Sequence, residues 1–539
     1  MEAVSLPRLR VGIFTDSPRQ PRWIVEALAR AGASDFAEIA LVSDTKPAPG
    51  TGQLPGTGSG NGSSSLPLLW RAYAVADRAL WRGRHPEGKA DATRLVGLAR
   101  NLKRADGEQC WRAQIAHARL DVAFVLGDVD LEAIRGVARF GVWRFCFGDG
   151  HETCESLAAI REAIENSPVV VSGIRISRPG TADRIACQSY SRTFLSVARS
   201  RAALFAKTGD FVSRALRDLH EGGTSWIERG TEPAGEPKGK AFPDTPNLIK
   251  GITNLSTRVV QRAAEKALKL ETWSIAYRFG PEVDWNGSHD GFFRLDPPAG
   301  WFWADPFPIE RDGRYWIFFE EHPLGAAKGH INVVEVRKDG STWGPVKVLE
   351  RPYHLSYPFL VEEGGALYMI PETADNQTVE LYRCVEFPAK WELDRVLLQD
   401  VRCVDATFHR ENGRWWMFAN AAAPGAEFND ELAIYSAESL LGEWRPHRRN
   451  PVKSDVRSAR PAGGLFRRGD GLYRPGQICT PLYGAGIALH RVTRLTADEY
   501  TEEETSRIVP RDAKTLGIHT FNRARDLTVA DAFERRPRF

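Results

Sequence analysis

The chain lacks the marks of a secreted, membrane-spanning or nucleic-acid-binding protein. Its seven cysteines (Cys110, Cys146, Cys154, Cys187, Cys384, Cys403 and Cys479) are odd in number, far apart and without a CxxC pair. That excludes a disulfide framework and a cysteine-built zinc site and fits a reducing compartment. No stretch approaches the roughly eighteen apolar residues of a membrane span, so no transmembrane segment is expected. Met1 to Val11 carries no apolar leader core, which makes the cytoplasm the expected location. Neither charge sign dominates: 72 Lys and Arg stand against 69 Asp and Glu, giving no electrostatic case for nucleic acid. No metal and no cofactor is expected.

What the sequence does have is aromatic residues, sixteen of them tryptophan. On a β scaffold these fill cores, and they also make the flat platforms on which sugar rings stack. The first half reads as α/β. Arg8 to Thr15 is a buried strand, Pro21 to Ala31 an amphipathic helix and Ala37 to Val42 a second strand, a Rossmann-like opening. Pro47 to Ser65 is a low-complexity Gly/Ser/Pro insertion expected to be disordered. Helical patterns at Leu69 to Arg82 and Ala92 to Lys103 precede strands at Leu120 to Leu126 and Gly141 to Phe147. A strand pair follows at Val169 to Ser177 and Arg184 to Tyr190, then a long helix from Thr193 to Leu219. The domain spans residues 8–221, and a linker with a helix at Ile249 to Leu270 fills 222–270.

From Trp273 helical periodicity stops, and strands alternate with Asp-Gly, Gly-Gly and Asn-Gly turns. A repeat settles the architecture: DPFPIERDGRYWIFFEE from Asp305, YPFLVEEGGALYMIPET from Tyr357, DATFHRENGRWWMFANA from Asp405 and GGLFRRGDGLYRPGQIC from Gly463. One four-stranded propeller blade has about this ~40–50-residue spacing. Residues 271–533 are therefore expected to form an all-β five-bladed propeller, with Ala485 to Thr493 and Gly517 to Phe533 closing the ring against Thr272 to Arg278.

Two-residue turns fix register. Counting outward from them sets Asp305 opposite Glu320, Tyr357 opposite Glu372 and Asp405 opposite Asn420. Because blades radiate from one axis, these residues converge on one mouth of the channel. Asp305, Glu320, Glu372 and Asp405 are candidate catalytic carboxyls, since glycosyl chemistry needs one carboxyl protonated beside another ionised. Each has an ordinary alternative as a strand cap or charged edge. Tyr357, Asn420, Arg460, Arg474 and His519 are candidate substrate-binding residues, with Asp531 a weaker one beside His519. For the two arginines, stacking on aromatics is an equal reading. Asp149, His151 and Glu152 are read first as a helix cap and second as a remnant site.

The WADPF repeat resembles the five-bladed propellers of arabinanases, β-xylosidases, invertases and levansucrases. The resemblance implies a catalytic role for Asp305, which matches the Asp opening their first blade. Tyr357 stands where they carry a second Asp and Asp405 where they carry a Glu, departures that argue against an unmodified furanosidase mechanism. The first half resembles the formyltransferase fold. GVWRFCFGDG lies where that family has Asn-x-His, but Arg144 and Cys146 occupy those positions, which implies a repurposed domain. The two halves together resemble the N-terminal region of plant glucosamine inositolphosphorylceramide transferases and their bacterial relatives. In the plant proteins a glycosyltransferase domain follows the propeller. The end of this chain at Phe539 leads to the expectation that it supplies none.

The resemblance implies glycolipid or surface-polysaccharide biosynthesis. Two functions stay open: a glycosyl transferase or hydrolase acting at the propeller mouth, and a non-catalytic protein that presents a sugar, glycan or lipid-linked sugar to a partner glycosyltransferase. Formyl or acyl transfer in the first half is a weaker third.

Overall fold

The structure is a computed structural model. It describes residues 6–44, 68–81, 89–91, 94–95, 115–127, 129–148, 158–233, 245–281, 285–422 and 426–538. The insertion at 47–65, most of the helical pattern at 92–103 and the trio Asp149, His151 and Glu152 lie outside the described residues. The chain divides into two compact units. Residues 1–259 with 423–426 form one, and 260–422 with 427–539 the other. Among the described residues no helix is long and apolar enough to cross a membrane.

The first unit is built on one mixed sheet. Strands β1 (Leu9–Thr15), β2 (Ala37–Asp44), β3 (Val122–Leu126), β4 (Val142–Phe147), β5 (Val169–Ser177) and β6 (Arg184–Arg192) lie in the order β2-β1-β3-β4-β5-β6. The first four run parallel, and β5 and β6 return antiparallel. Both faces are covered, which is why the strands read as continuous apolar runs. Along β3, Val122, Phe124 and Leu126 face helix α1 (Arg22–Gly32) and helix α2 (Val197–Glu228), while Ala123 and Val125 face a second cluster with Phe14 and Leu41. Trp23 of α1 stacks on Phe205 of α2 at 5.0 Å. Helix α2 runs past Leu219, with Gly223 breaking its helical geometry at φ 57°. Cys146 is buried in β4, and burial pushes its thiol up to about 12, leaving it inert as a nucleophile at neutral pH.

The second unit is a five-bladed β-propeller, with five sheets each of four strands or slightly more. The first three repeats open blades of their own, at Trp301–Arg311, Ser356–Glu363 and Cys403–Glu411, and the fourth opens just before Phe466–Arg468. The closing blade differs from the one expected. Gly486–Leu495, which covers Ala485 to Thr493, is the third strand of the fourth blade. The closing blade instead combines Phe293–Leu295, Lys269–Phe279, Leu527–Pro537 and Phe521–Ala524. Leu527–Pro537 pairs along its whole length with Lys269–Phe279, so chain segments from the two ends of the propeller share one sheet.

The register differs by one residue from the count outward from the turns. In the first blade Phe307 pairs with Phe318, but Ala304, not Asp305, pairs with Glu320. Asp305 and Pro306 thus share a single partner position, a β-bulge. The second blade repeats this: Ser356, not Tyr357, pairs with Glu372. So does the third, where Val404, not Asp405, pairs with Asn420. Asp305, Tyr357 and Asp405 take left-handed φ values of 52°, 47° and 54°. Non-glycine residues enter that region at a cost of about 1–3 kcal/mol each. The same strained bulge at the same height of three blades turns these side chains out of the ladder. The position aims a residue, and the blade supplies a different one each time.

Candidate functional site

Asp305 is buried. Its Oδ1 accepts the Thr520 hydroxyl at 2.6 Å and lies 3.1 Å from His519 Nε2. The other ring nitrogen of His519 lies 2.8 Å from Asp531 Oδ2 as an ion pair, though the N–H is not aligned as a hydrogen bond. Asp531 Oδ1 in turn accepts the backbone N–H groups of His519 and Thr520 at 2.8 and 3.1 Å. Burial alone would lower the imidazole, but the two carboxylates outweigh it and raise it to about 10. Burial works against ionising Asp305 as well. The His519 charge, the Thr520 hydroxyl and Arg460 overcome it and hold the carboxyl below its usual range.

Asp405, also buried, is gripped by the Arg460 fork, Nε to Oδ2 at 2.5 Å and Nη2 to Oδ1 at 3.1 Å. Gln477 Nε2 adds a hydrogen bond at 3.0 Å. Burial, with the Asp305 charge, leaves the Asp405 carboxyl raised despite the downward pull of Arg460; Asp405 in turn pushes Arg460 well up against burial. With three N–H groups aligned on its oxygens, Asp405 is the carboxylate of a bidentate ion pair.

Glu320 and Glu372 contrast with Asp305. Burial, then the Asp305, Glu372 and Asp405 charges, push Glu320 well above the carboxyl range. Burial, then Asp405, raise Glu372 to about 8, with a side-chain hydrogen bond to Asp405 adding to the rise. At neutral pH the axis therefore holds the Asp305 carboxylate and the Arg460-paired Asp405 beside a largely protonated Glu372, with Glu320 pushed the same way. All four catalytic candidates share one electrostatic neighbourhood.

Among the described residues, two clusters have the composition of a metal site: Asp305, His519 and Asp531, and Glu320, His322 and His354. In the first, His519 is a cation between two carboxylates, so the cluster is a charge triad. In the second, His354 Nδ1 accepts the Gly329 N–H at 2.9 Å, which leaves its proton on Nε2, 3.6 Å from Glu320 Oε1. That is a donor facing an acceptor, rather than two ligands facing one cation.

The other candidates separate. Arg460 and His519 join the axial cluster. The Tyr357 hydroxyl accepts the Gly463 N–H at 2.7 Å and is 2.8 Å from Thr407 Oγ1, so it ties three blades together. The Asn420 amide is used within its own blade, on the Glu431 carbonyl and the Asn429 N–H. Arg474 forks on Glu502 at 2.7 Å through both Nε and Nη2, away from the axis. Sequence reasoning missed Thr520, Gln477, His354 and Tyr483. Tyr483 lies under the Arg460 guanidinium at 5.0 Å and beside His519 at 5.3 Å, and Trp273 packs edge-on against His519 at 4.1 Å. Their one signal was adjacency: Thr520 follows His519, and His354 precedes the second repeat.

Comparison with known proteins bears on the second unit. Residues 296–532 match the family model described as glucosamine inositolphosphorylceramide transferase 1, N-terminal. The chain is 37% identical over 205 residues to glucosamine inositolphosphorylceramide transferase 1 of Oryza sativa subsp. japonica, covering 37% of this chain and 27% of that protein. To the Arabidopsis thaliana protein of the same name it is 35% identical over 207 residues, 38% of this chain and 27% of that one. The match thus spans about a quarter of the length of these curated relatives. Among solved structures, a family 117 glycoside hydrolase from Zobellia galactanivorans is similar with 12% identity and a TM-score of 0.32, over 49% of this chain and 90% of that one. An exo-1,5-α-L-arabinanase from a bovine ruminal metagenomic library is similar with 16% identity and a TM-score of 0.31, over 44% and 92%.

Proposed function

We propose that the propeller is a carbohydrate-active module that binds a sugar at its axis and breaks or transfers a glycosidic bond there. The observation that carries this is the split among the axial carboxyls, with Glu372 raised to about 8 beside the Asp405 and Asp305 carboxylates. Glycosyl chemistry needs that split. A protonated carboxyl donates its proton to the departing oxygen as the C–O bond breaks, and a carboxylate stabilises the positive charge that grows at the anomeric carbon. Glu372 is the acid in this reading, Asp305 the charged partner, and Asp405 with Arg460 orients the sugar. Trp273 and Tyr483 offer ring faces for stacking. Similarity to plant glucosamine inositolphosphorylceramide transferase 1 supports a glycolipid as the substrate class.

A second reading rests on a different observation. Asp305 and Asp405 have their oxygens occupied by His519, Thr520, Arg460 and Gln477, an arrangement that suits holding a glycan for a partner glycosyltransferase. For the first unit we infer a Rossmann-like, formyltransferase-like fold put to another use, an inference supported by its four parallel strands and inert Cys146.

A panel of nucleotide sugars and aryl furanosides, scored for both binding and turnover, tests the function. Turnover that falls by at least ~10²-fold in Glu372→Gln supports the acid role. Full turnover in that variant rejects it. Saturable sugar binding without turnover in the wild type moves the protein to the second reading.

A further inference from the structure

A crevice of about 310 Å³ opens between the fourth blade and the closing blade. Its volume is at the small end of ligand pockets. Arg468, Arg507, Arg511 and Arg523 line it, over a floor that includes Trp285 and Phe521, stacked 5.5 Å apart. Among the described residues, no Asp or Glu lines it. Arg507 is held by Glu504 at 2.6 Å. Arg523 donates to the backbone carbonyls of Arg525 and Gly280, which fix its position without cancelling its charge. In a chain whose net charge is only +3, the three further arginines, Arg468, Arg511 and Arg523, around one apolar-floored crevice are a local excess. Guanidinium forks match phosphate oxygens in pairs, and an aromatic floor accepts the flat face of a ring.

The axis offers the opposite chemistry. Its cations Arg460 and His519 are already taken by Asp405, Asp305 and Asp531, so a phosphate group is better matched in the crevice. The two places are joined. Gly464 and Asn522 form part of the crevice wall, and Asn522 accepts the Gly464 N–H at 2.8 Å while donating to the Pro306 carbonyl at 2.9 Å. Pro306 is the other residue of the Asp305 bulge.

We propose that this crevice is a binding site for a small phosphorylated molecule bearing a ring, a sugar phosphate or a nucleoside phosphate, distinct from the axial carboxyl site. The proposal does not depend on what the axis does. Calorimetric titration of the full chain at low salt with UDP, glucose 1-phosphate and inorganic phosphate tests it. At least one ring-bearing phosphate saturates the protein, inorganic phosphate binds at least about tenfold more weakly, and the double variant Arg468→Gln/Arg511→Gln weakens the ring-bearing ligand by at least about tenfold. Both arginines are exposed, so the melting temperature should hold; if the double variant melts early, each single variant is titrated instead. Which of the two organic phosphates binds identifies the source. Binding in Glu372→Gln is unchanged, which separates this site from the axis. No saturation by either organic phosphate, equal binding of inorganic phosphate, or undiminished binding in the arginine variants each overturns it.

Discussion

His519 Nε2 lies 3.1 Å from Asp305 while its Nδ1 lies 2.8 Å from Asp531, so one imidazole bridges the first blade and the closing blade. The folded-state value near 10 lies above that of a free imidazole, about 6.5. A cation favoured by folding stabilises fully below the unfolded value and loses that stabilisation as pH rises through the folded one. The melting temperature should therefore decline between about pH 6.5 and pH 10, and His519→Gln should flatten the decline. A wild-type melting curve level across this window contradicts the charge triad.

Glu372 also holds its proton more tightly in the folded state. Its folded value of about 8 exceeds that of a free glutamate, about 4.3. The unfolded chain thus releases this proton first, and the group subtracts stability increasingly as pH climbs from about 4.3 to about 8. Glu372→Gln, which mimics the protonated form, should melt at or above the wild type at pH 7. If Glu372 is the acid, wild-type turnover should fall on the alkaline side with an apparent value near 8. Differential scanning calorimetry and a pH–rate profile check the two halves separately.

Tyr357→Phe separates structure from binding. Removing the hydroxyl leaves the Gly463 N–H buried without its acceptor, a loss of about 1–3 kcal/mol. Denaturant unfolding should register that loss while sugar affinity at the axis stays put. A change in affinity with unchanged stability would return Tyr357 to the sugar site.

Arg460→Ala removes the fork from a buried carboxylate. Breaking such a pair from one side costs about 3–5 kcal/mol. Arg460→Lys, which keeps the charge without the planar fork, should recover only part of it. Equal stability of the lysine variant and the wild type would mean that charge alone, not bidentate geometry, holds Asp405.

The propeller was legible because each repeat carries its own punctuation. A turn ending in glycine and an aromatic strand after it can be read without knowing what packs on them. The axial register was not legible. Nothing in WADPF or SYPFL announces a left-handed residue, and a tyrosine at φ 47° is a conformation imposed by the neighbouring blades. The off-by-one therefore entered the first three blades alike, and the pairs read as facing each other are instead a bulge residue beside a ladder residue. Charge identity was legible at Asp305 and Glu372, but charge state was not, because it depends on His519 and Arg460 arriving from segments far along the chain. Asn420 and Arg474 show the reverse error: polar residues at repeat positions, absorbed by carbonyls and a carboxylate of their own blades.

The shared sheet of Lys269–Phe279 and Leu527–Pro537 also sets an order of events. Glu271 and Arg535, ion-paired across it, are 264 residues apart. While the chain is being synthesised, Lys269–Phe279 emerges early; Phe293–Leu295 can pair with one of its edges at once, but the other edge has no partner until every other blade has been made. For that interval its open edge keeps exposed backbone groups, the situation that invites pairing with another chain. Because a contact between such distant segments forms only after a long loop has closed, ring closure should be the slow step of folding. A nascent chain stalled before Leu527 should then expose Lys269–Phe279 to chaperones and to aggregation, however well its middle blades have formed.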